Sequence, residues 1–386
     1  KPNKHVLGLA GVPVLAALYG LIRVSQVDAR SAAADKVEVG LVQANMSLMG
    51  KRINKDEGLN RHLRLTKELK DQGPLDLVVW SETSVMSVVL EDNANRELKR
   101  QITRSLGVPA LFGSVLARPV DDARGHALFN SAMLSDKKGN IIGRFDKQYL
   151  LAFGEYLPFG ETFPKLYEWS PHTGHFQPGT SFKPLSLGDR QIAVVVCYED
   201  VLPGFVNREM REGDPELIAN LTNDAWFGDS TEPWIHLALA KLRAVEQRKF
   251  FVRSTNSGVS AFIDPEGRVI SHTKTFTEES QRATLRWLKG KTAYTYLGDI
   301  PWWLATVASV GFAFRRRSSK AQPPKPDAPK PAEGQSDEAQ PEAETTAAKP
   351  AVMATAEPPA APSGNPAPAT EPNALPGFPK VGEPKS

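Results

Sequence analysis

The chain is poor in cysteine, in net charge and in repeats. A single cysteine, Cys197, stands among 386 residues. It excludes an intrachain disulfide, and it fits either a reducing compartment or an exported protein that folds without bridges. The histidines (His5, His62, His126, His172, His175, His236 and His272) are scattered. With one cysteine they make no cluster of metal-ligand spacing, so each reads as a surface or structural residue. No glycine-rich phosphate loop and no internal repeat is present. A formal net charge of +3 is small for the length and gives no reason to expect nucleic acid. The remaining composition, 41% hydrophobic and 24% charged, is that of a globular protein of one large or two ordinary domains.

What is present is distributed unevenly. Residues 6–22, "VLGLAGVPVLAALYGLI", form an uncharged apolar run near the lower limit for a membrane-spanning helix. Pro13 inside it is tolerable in a bilayer. A cleaved signal peptide is the alternative, but no clear small-residue cleavage site follows. A second run, "IPWWLATVASVGFAF" at 300–314, opens on Trp302 and Trp303 and closes on Arg315, Arg316 and Arg317. Interfacial tryptophans and a basic stop suit a membrane helix with its C-terminal end in the cytoplasm; a buried core helix is the alternative. Lys1 and Lys4 argue weakly for a cytoplasmic start, and Arg23 and Arg30 blur it. The expected organisation is a transmembrane helix at 1–23, an extracytoplasmic domain at 24–299, a second transmembrane helix at 300–317, and a tail. The tail, 318–386, holds 16 of the 31 prolines and too few large apolar residues to offset its ordering entropy. It is expected to be disordered and cytoplasmic, with partner binding through its Pro-rich pieces as an alternative. The chain opens on Lys1 rather than Met, which fits a piece of a longer protein.

Between the apolar runs, strand-like and helix-like segments alternate. Residues 37–43, 76–80, 109–115, 127–134, 140–146, 191–196, 216–222, 250–255, 258–264 and 268–273 read as strands. "SDKKGN" and "DPEG" supply turns. Residues 56–72, 91–105, 203–212 and 232–250 read as helices. Alternation early and hairpins later predict an α/β layered domain with a mixed sheet or two sheets.

The chemistry centres on "AVVVCYED" at 193–200. A lone buried cysteine is ordinarily an inert small hydrophobe. Cys197, however, ends a β-branched strand where the chain must turn, a position that holds a side chain out of the sheet near backbone N–H groups. A nucleophilic thiol also needs a base and an oxyanion partner. Glu82 follows the strand "DLVVW", and Lys147 follows "IIGRFD". If these strands are neighbours, a carboxylate, an ammonium and a thiol share one mouth: the base, the charge stabiliser and the nucleophile. Taken singly, Glu82 and Lys147 read as surface charges.

The motifs that hold these residues resemble a known family. "VVWSET", "GRFDKQYLLAFGEYLPFG" and "VVVCYED" are similar to the Glu-Lys-Cys set of the nitrilase (carbon–nitrogen hydrolase) superfamily. More narrowly, "FGEYLPFG", "CYEDVLPG", "NLTNDAWFGDS" and "LRAVEQRKFFVRSTNSGVSAFIDPEGRV" resemble the apolipoprotein N-acyltransferases, over about residues 37–314. The resemblance implies a nitrilase-like α-β-β-α sandwich flanked by transmembrane helices, in a bacterial inner membrane with the catalytic domain on the periplasmic side. It implies a cysteine that takes an acyl chain from a phosphatidylethanolamine-like phospholipid as a thioester. The chain then passes to the α-amine of a diacylglyceryl apolipoprotein, without cofactor or metal. By motif match, Cys197 is the nucleophile, Glu82 the general base and Lys147 the oxyanion stabiliser. Glu155 is a supporting carboxylate, Tyr198 and Glu199 flank the nucleophile, Glu246 is another functional acid, and Asn223 and Trp226 line the pocket.

The apolar, turn-rich stretch 149–169 suits a loop that dips among lipid headgroups; inward packing is the alternative. Four features depart from the family's pattern. One apolar segment, rather than several, precedes the domain, which leaves two readings open: a piece of a longer protein, or a chain whose acyl-donor site is incomplete. Arg52 stands in an arm where the family often has tryptophan, Ala152 stands where proline is usual, and the Pro-rich tail is not a family feature. A membrane-anchored amidase that hydrolyses a C–N bond, or an inactive scaffold presenting its tail, are the competing readings.

Overall fold

The computed structural model describes residues 4–47, 54–103, 106–121 and 125–319. Lys1, Arg52 and the Pro-rich tail beyond residue 319 lie outside the described residues. The described chain falls into two compact units, one reaching Trp302 and one starting at Trp303.

The first unit opens with helix α1 (Lys4–Ala33), which carries Pro13 and runs on past residue 23 without a break. Its stretch Gly11–Ala33 is long and apolar enough to cross a membrane, and among the described residues no other helix is. Leu15 and Leu21 are exposed, but by Val27 the helix meets the domain and buries a side chain. Asp28 pairs with Arg268 at 2.5 Å there.

Thirteen described strands follow, interleaved with helices: β1 (Lys36–Gln43), α2 (Lys55–Asp71), β2 (Leu77–Trp80), β3 (Val85–Leu90), α3 (Ala94–Leu98), β4 (Ala110–Pro119), β5 (His126–Ser135), β6 (Ile141–Asp146), β7 (Leu185–Leu187), β8 (Arg190–Val196), α4 (Pro203–Glu212), β9 (Leu217–Thr222), α5 (Glu232–Gln247), β10 (Phe250–Thr255), β11 (Ala261–Ile263), β12 (Val269–His272) and β13 (Glu279–Arg286). Local chemistry explains the helix starts. The Asn54 side chain accepts from the Glu57 N–H ahead of α2, which satisfies one of the orphan donors of its first turn. Pro203 sits at the start of α4, where its missing N–H is harmless.

The strands make two mixed sheets. One runs β13-β1-β2-β4-β5-β6 with β3 also paired to β4; the other runs β12-β11-β10-β9-β8-β7. Their inner faces meet in one core, in which Val37, Val39 and Leu41 of β1 join Ile192, Val194 and Val196 of β8. The outer face of the first sheet is covered by Leu65 and Leu69 of α2 and Leu98 of α3, packed on Val78, Trp80 and Phe112. Helices α4 and α5 bring Phe205, Val206, Met210, Leu237 and Ala240 to the second sheet. The layering is therefore α-β-β-α, as the resemblance implies.

Three strands escape the periodicity reading. β13, "ESQRATLR", is mostly polar and buries only Leu285 well, yet it pairs antiparallel with all eight residues of β1. Side-chain pattern conceals a strand whose partner is supplied by an edge three-fifths of the chain away. β3 and the three-residue β7 are short. The helix expected over 91–105 is broken into a 3₁₀ turn, α3 and a π turn at Lys99–Thr103.

The second unit begins within helix α6 (Ile300–Ser319). The helix forms as expected, and its side chains from Trp302 to Phe314 are exposed. Its apolar run is shorter than the 17–25 residues of an ordinary span.

Candidate active site

Strand direction decides where the polar residues gather. β2 is parallel to β4, while β5 and β6 each reverse direction, so β2 and β6 end at the same rim. In the second sheet β8, β9 and β10 are parallel. Glu82 follows β2, Lys147 follows β6, Cys197 follows β8 and Asn223 follows β9. The expectation that the strands carrying the trio are neighbours is corrected: β4 and β5 lie between β2 and β6, and β8 belongs to the other sheet. Convergence comes from the facing of two sheets and from long side chains that reach across.

The result is an open cleft lined by Glu82, Lys147, Glu155, Cys197, Asn223 and Trp226, with Asn130, Thr83, Met86, Val115, Leu151, Gly154 and Phe176. Lys147 is almost fully buried. Its Nζ lies 3.2 Å from Glu82 Oε1 and 2.8 Å from Glu155 Oε2. Burial works against the ammonium, but the carboxylates of Glu155 and Glu82 outweigh it and hold the lysine well above its usual range. Asn130 Nδ2 donates to Glu82 Oε1 and to Glu155 Oε1, both at 2.7 Å, and the Leu151 N–H donates to Glu155 Oε2 at 2.8 Å. The two acids are thus locked around one cation.

The backbone bends sharply at two of the three sites. Thr83 and Cys197 have φ of 46° and 56°, a region that costs a residue with a Cβ about 1–2 kcal/mol and persists where surrounding contacts over-determine it. The Glu82 bend lies directly on β4, where a Cβ on Gly113 would stand 2.2 Å from the Thr83 nitrogen. Only glycine lets the two backbones approach so closely. At Cys197 the carbonyl accepts from Asn220 Nδ2 at 2.9 Å. Burial and the Glu82 carboxylate push the thiol up, against the pull of Lys147 and a hydrogen bond from Thr222.

Glu199 supports the turn from behind. It is fully buried and accepts backbone N–H groups from Gln148 (2.7 Å), Tyr149 (3.0 Å) and Val196 (2.8 Å). One carboxylate so ties the strand that ends at Cys197 to the segment that carries Lys147. Burial pushes it up to about 7 despite those donors. Tyr198 donates its hydroxyl to Leu150 O at 3.3 Å, and its ring lies 5.9 Å from Lys147 Nζ. Glu246 stands apart from the cleft lining. It pairs with Arg243 at 2.7 Å along α5, and burial raises it.

Sequence reasoning passed over Asn130 and a buried ionic group beneath Cys197. Arg253 lies 2.5 Å from Asp200 and 3.0 Å from Asp224, all three fully buried. His236 bridges the same acids at 2.8 and 3.1 Å. Asp224, Glu232 and His236 also bring ligand-type atoms within 4.8 Å of one another. Arg253 supplies the positive charge there, and both His236 nitrogens are already engaged. Arginine inside the apolar strand "FFVRST" was the available signal.

The aromatic segment beside the cleft divides in two. Leu150 and Leu157 pack inward, while Phe153, Phe159, Phe163 and Trp169 are 60–80% exposed. Trp226 and Phe227 add to the uncovered apolar surface.

Comparison with known proteins matches the family model described as carbon-nitrogen hydrolase to residues 38–287. An apolipoprotein N-acyltransferase of Geobacter metallireducens is 31% identical over 288 residues, 73% of this chain and 54% of the relative. One of Allorhizobium ampelinum is 35% identical over 292 residues, 72% of this chain and 53% of the relative. The chain spans about half the length of these relatives. A nitrilase-superfamily protein of Saccharomyces cerevisiae superposes with a TM-score of 0.49 at 19% identity, covering 65% of this chain and 90% of that one.

Proposed function

The chain belongs to the carbon–nitrogen hydrolase family, and from that premise we propose that it is an N-acyltransferase of apolipoproteins. The donor is a phospholipid of phosphatidylethanolamine type, and the acceptor is the α-amine of a diacylglyceryl-modified N-terminal cysteine. The observation that carries this reading is the cleft itself. A thiol, a carboxylate and an ammonium share a wall with Met86, Val115, Leu151, Phe176 and Trp226, apolar surface suited to an acyl chain.

In the first half-reaction Glu82 accepts the Cys197 proton as sulfur attacks the ester carbonyl, and Lys147 faces the oxygen that gains charge. The tetrahedral adduct expels the glyceryl oxygen, which leaves as lysophospholipid with the proton from Glu82. In the second, the acceptor amine attacks the thioester, Glu82 takes its proton, and the departing sulfur recovers it. Glu155 and Asn130 hold the base and the lysine in register. No step calls for a metal or an organic cofactor.

The similarity to apolipoprotein N-acyltransferases and the uncovered aromatics beside the cleft support a lipid substrate over a soluble amide. We place the enzyme in a bacterial inner membrane, held by residues 1–23 and 300–317, with residues 24–299 on the periplasmic side and the tail from 318 in the cytoplasm. Helix α1, apolar from Gly11 to Ala33, supports the first anchor, and the three arginines that close α6 support the orientation.

The test uses the full chain in detergent–phospholipid micelles with radiolabelled acyl chains and a diacylglyceryl lipopeptide. Label on the peptide amine sustains the proposal. Label released only as free fatty acid overturns it in favour of a hydrolase.

A further inference from the structure

The buried ionic group beneath the nucleophile has a geometry that bare fold stability does not require. Arg253 Nη1 lies 2.5 Å from Asp200 Oδ2 and 3.1 Å from Asn220 Oδ1. The Asn220 amide is thereby oriented with its Nδ2 toward the carbonyl of Cys197, at 2.9 Å. Asp200 lies in the same 3₁₀ turn as Cys197, three residues on. One guanidinium nitrogen so grips the turn at both ends, by the first residue's carbonyl through Asn220 and by the fourth residue's carboxylate directly. The other nitrogen reaches Asp224 Oδ2 at 3.0 Å, in the turn Asp224–Phe227 that carries Trp226 into the cleft. His236 closes the ring from α5 by meeting Asp200 Oδ1 and Asp224 Oδ1.

We propose that Arg253 and Asn220 are positioning residues for the nucleophile: their linked hydrogen bonds hold the Cys197 turn in its left-handed backbone, and so aim the sulfur at Glu82 and Lys147. A planar fork suits this task because two nitrogens at fixed positions, with N–H bonds in fixed directions, serve three acceptors at once, which a lysine ammonium cannot reproduce. Strain at Cys197 supplies the reason for such a clamp, since a residue with a Cβ leaves that region when its restraints are removed. The proposal rests on the acyl-transfer reading only for its second readout.

Asn220→Leu removes the amide at nearly constant volume and leaves both Arg253–carboxylate pairs in place. The first readout, alkylation of Cys197 by iodoacetamide followed by mass spectrometry, needs no lipid. The second is single-turnover acyl transfer from labelled phospholipid. In the folded variant, alkylation is expected to slow at least fivefold and the acyl-transfer rate at saturating donor at least tenfold, with KM for the donor changed less than twofold. Arg253→Lys is expected to give the same pattern. Rates within twofold of wild type in folded Asn220→Leu overturn the proposal, as does a loss that only tracks the unfolded fraction in thermal melts. Should the leucine variant not fold, Asn220→Ser, too short to span from Arg253 to the Cys197 carbonyl, faces the same criteria. A wild-type protein that alkylates readily but takes no acyl group from phospholipid sinks the acyl-donor reading; alkylation then still decides the positioning claim.

Discussion

Gly113 offers a sharp check on how Glu82, the proposed base, is placed. A methyl group there would stand 2.2 Å from the Thr83 nitrogen and 2.8 Å from the Glu82 carbonyl carbon. Ordinary contact begins near 3.4 Å, so the two backbones must part by about 1.2 Å. Neither can yield as a flexible side chain would, because β4 is hydrogen-bonded to β5 on its other edge and the Ser84 hydroxyl bridges to the Gly113 N–H and carbonyl. Overpacking of this kind costs about 1–3 kcal/mol of stability. The effect on chemistry should be larger in kind. A displacement of about 1 Å at a catalytic group is worth roughly 100-fold in rate, and the displaced residue is the proposed base. Gly113→Ala is therefore expected to fold, to melt a few degrees lower, and to lose about two orders of magnitude in acyl transfer with donor KM little changed. Gly204→Ala is the control: a Cβ there meets nothing within 4 Å, and the substitution should be neutral or slightly stabilising. Thermal unfolding with the labelled-phospholipid assay reads both. Gly113→Ala with more than a third of wild-type turnover would refute the argument that this contact sets the base.

Other outcomes follow from the same site. Cys197→Ser should fold normally and form no acyl adduct, because a hydroxyl is far harder to ionise than a thiol; a hydroxylamine-labile adduct on wild type alone confirms it. Lys147→Met should lower acylation by roughly 100- to 1,000-fold and destabilise the fold by about 3–5 kcal/mol, since it strips the cation from buried Glu82 and half-buried Glu155; Lys147→Met with Glu155→Gln should recover part of the stability and none of the activity. His236 lies above its ordinary value, at about 9, because the pull of Asp200 and Asp224 overcomes burial and Arg253. The folded value exceeds the unfolded one, so its contribution is complete below about pH 6.5 and fades as pH rises through about 9. The shift is worth on the order of 3 kcal/mol. His236→Gln should flatten the melting temperature between pH 7 and 9.5, and parallel pH curves for the two proteins speak against a charged His236.

Much of this was legible along the chain, for physical reasons that differ by residue. Burial of a strand on both faces writes itself as a continuous apolar run, so "DLVVW" and "QIAVVV" disclosed β2 and β8, and the residues that break each run, Glu82 and Cys197, disclosed the site. A polar edge strand carries no such mark: β13 is a strand because β1 offers it an open edge, and its own side chains hardly say so. Asn130 and Arg253 were equally hidden. Each follows apolar residues within its strand, and only its neighbours in space reveal whether it faces solvent, a cleft or a buried ion pair.

By itself the sequence determined which elements form and which residues end them, because helix and strand periodicity, caps and turns are local matters. It also carried the chemical set of thiol, carboxylate and amine. Only the tertiary structure decided that these groups meet. Strands that are not neighbours become opposed walls of one cleft because two sheets stack face to face with their carboxyl ends on one rim. The close approach of β4 to the Glu82 bend at Gly113 and the buried arginine linked to the Cys197 turn are likewise products of the fold. Such distances depend on contacts between residues tens of positions apart in different elements, which no local rule encodes.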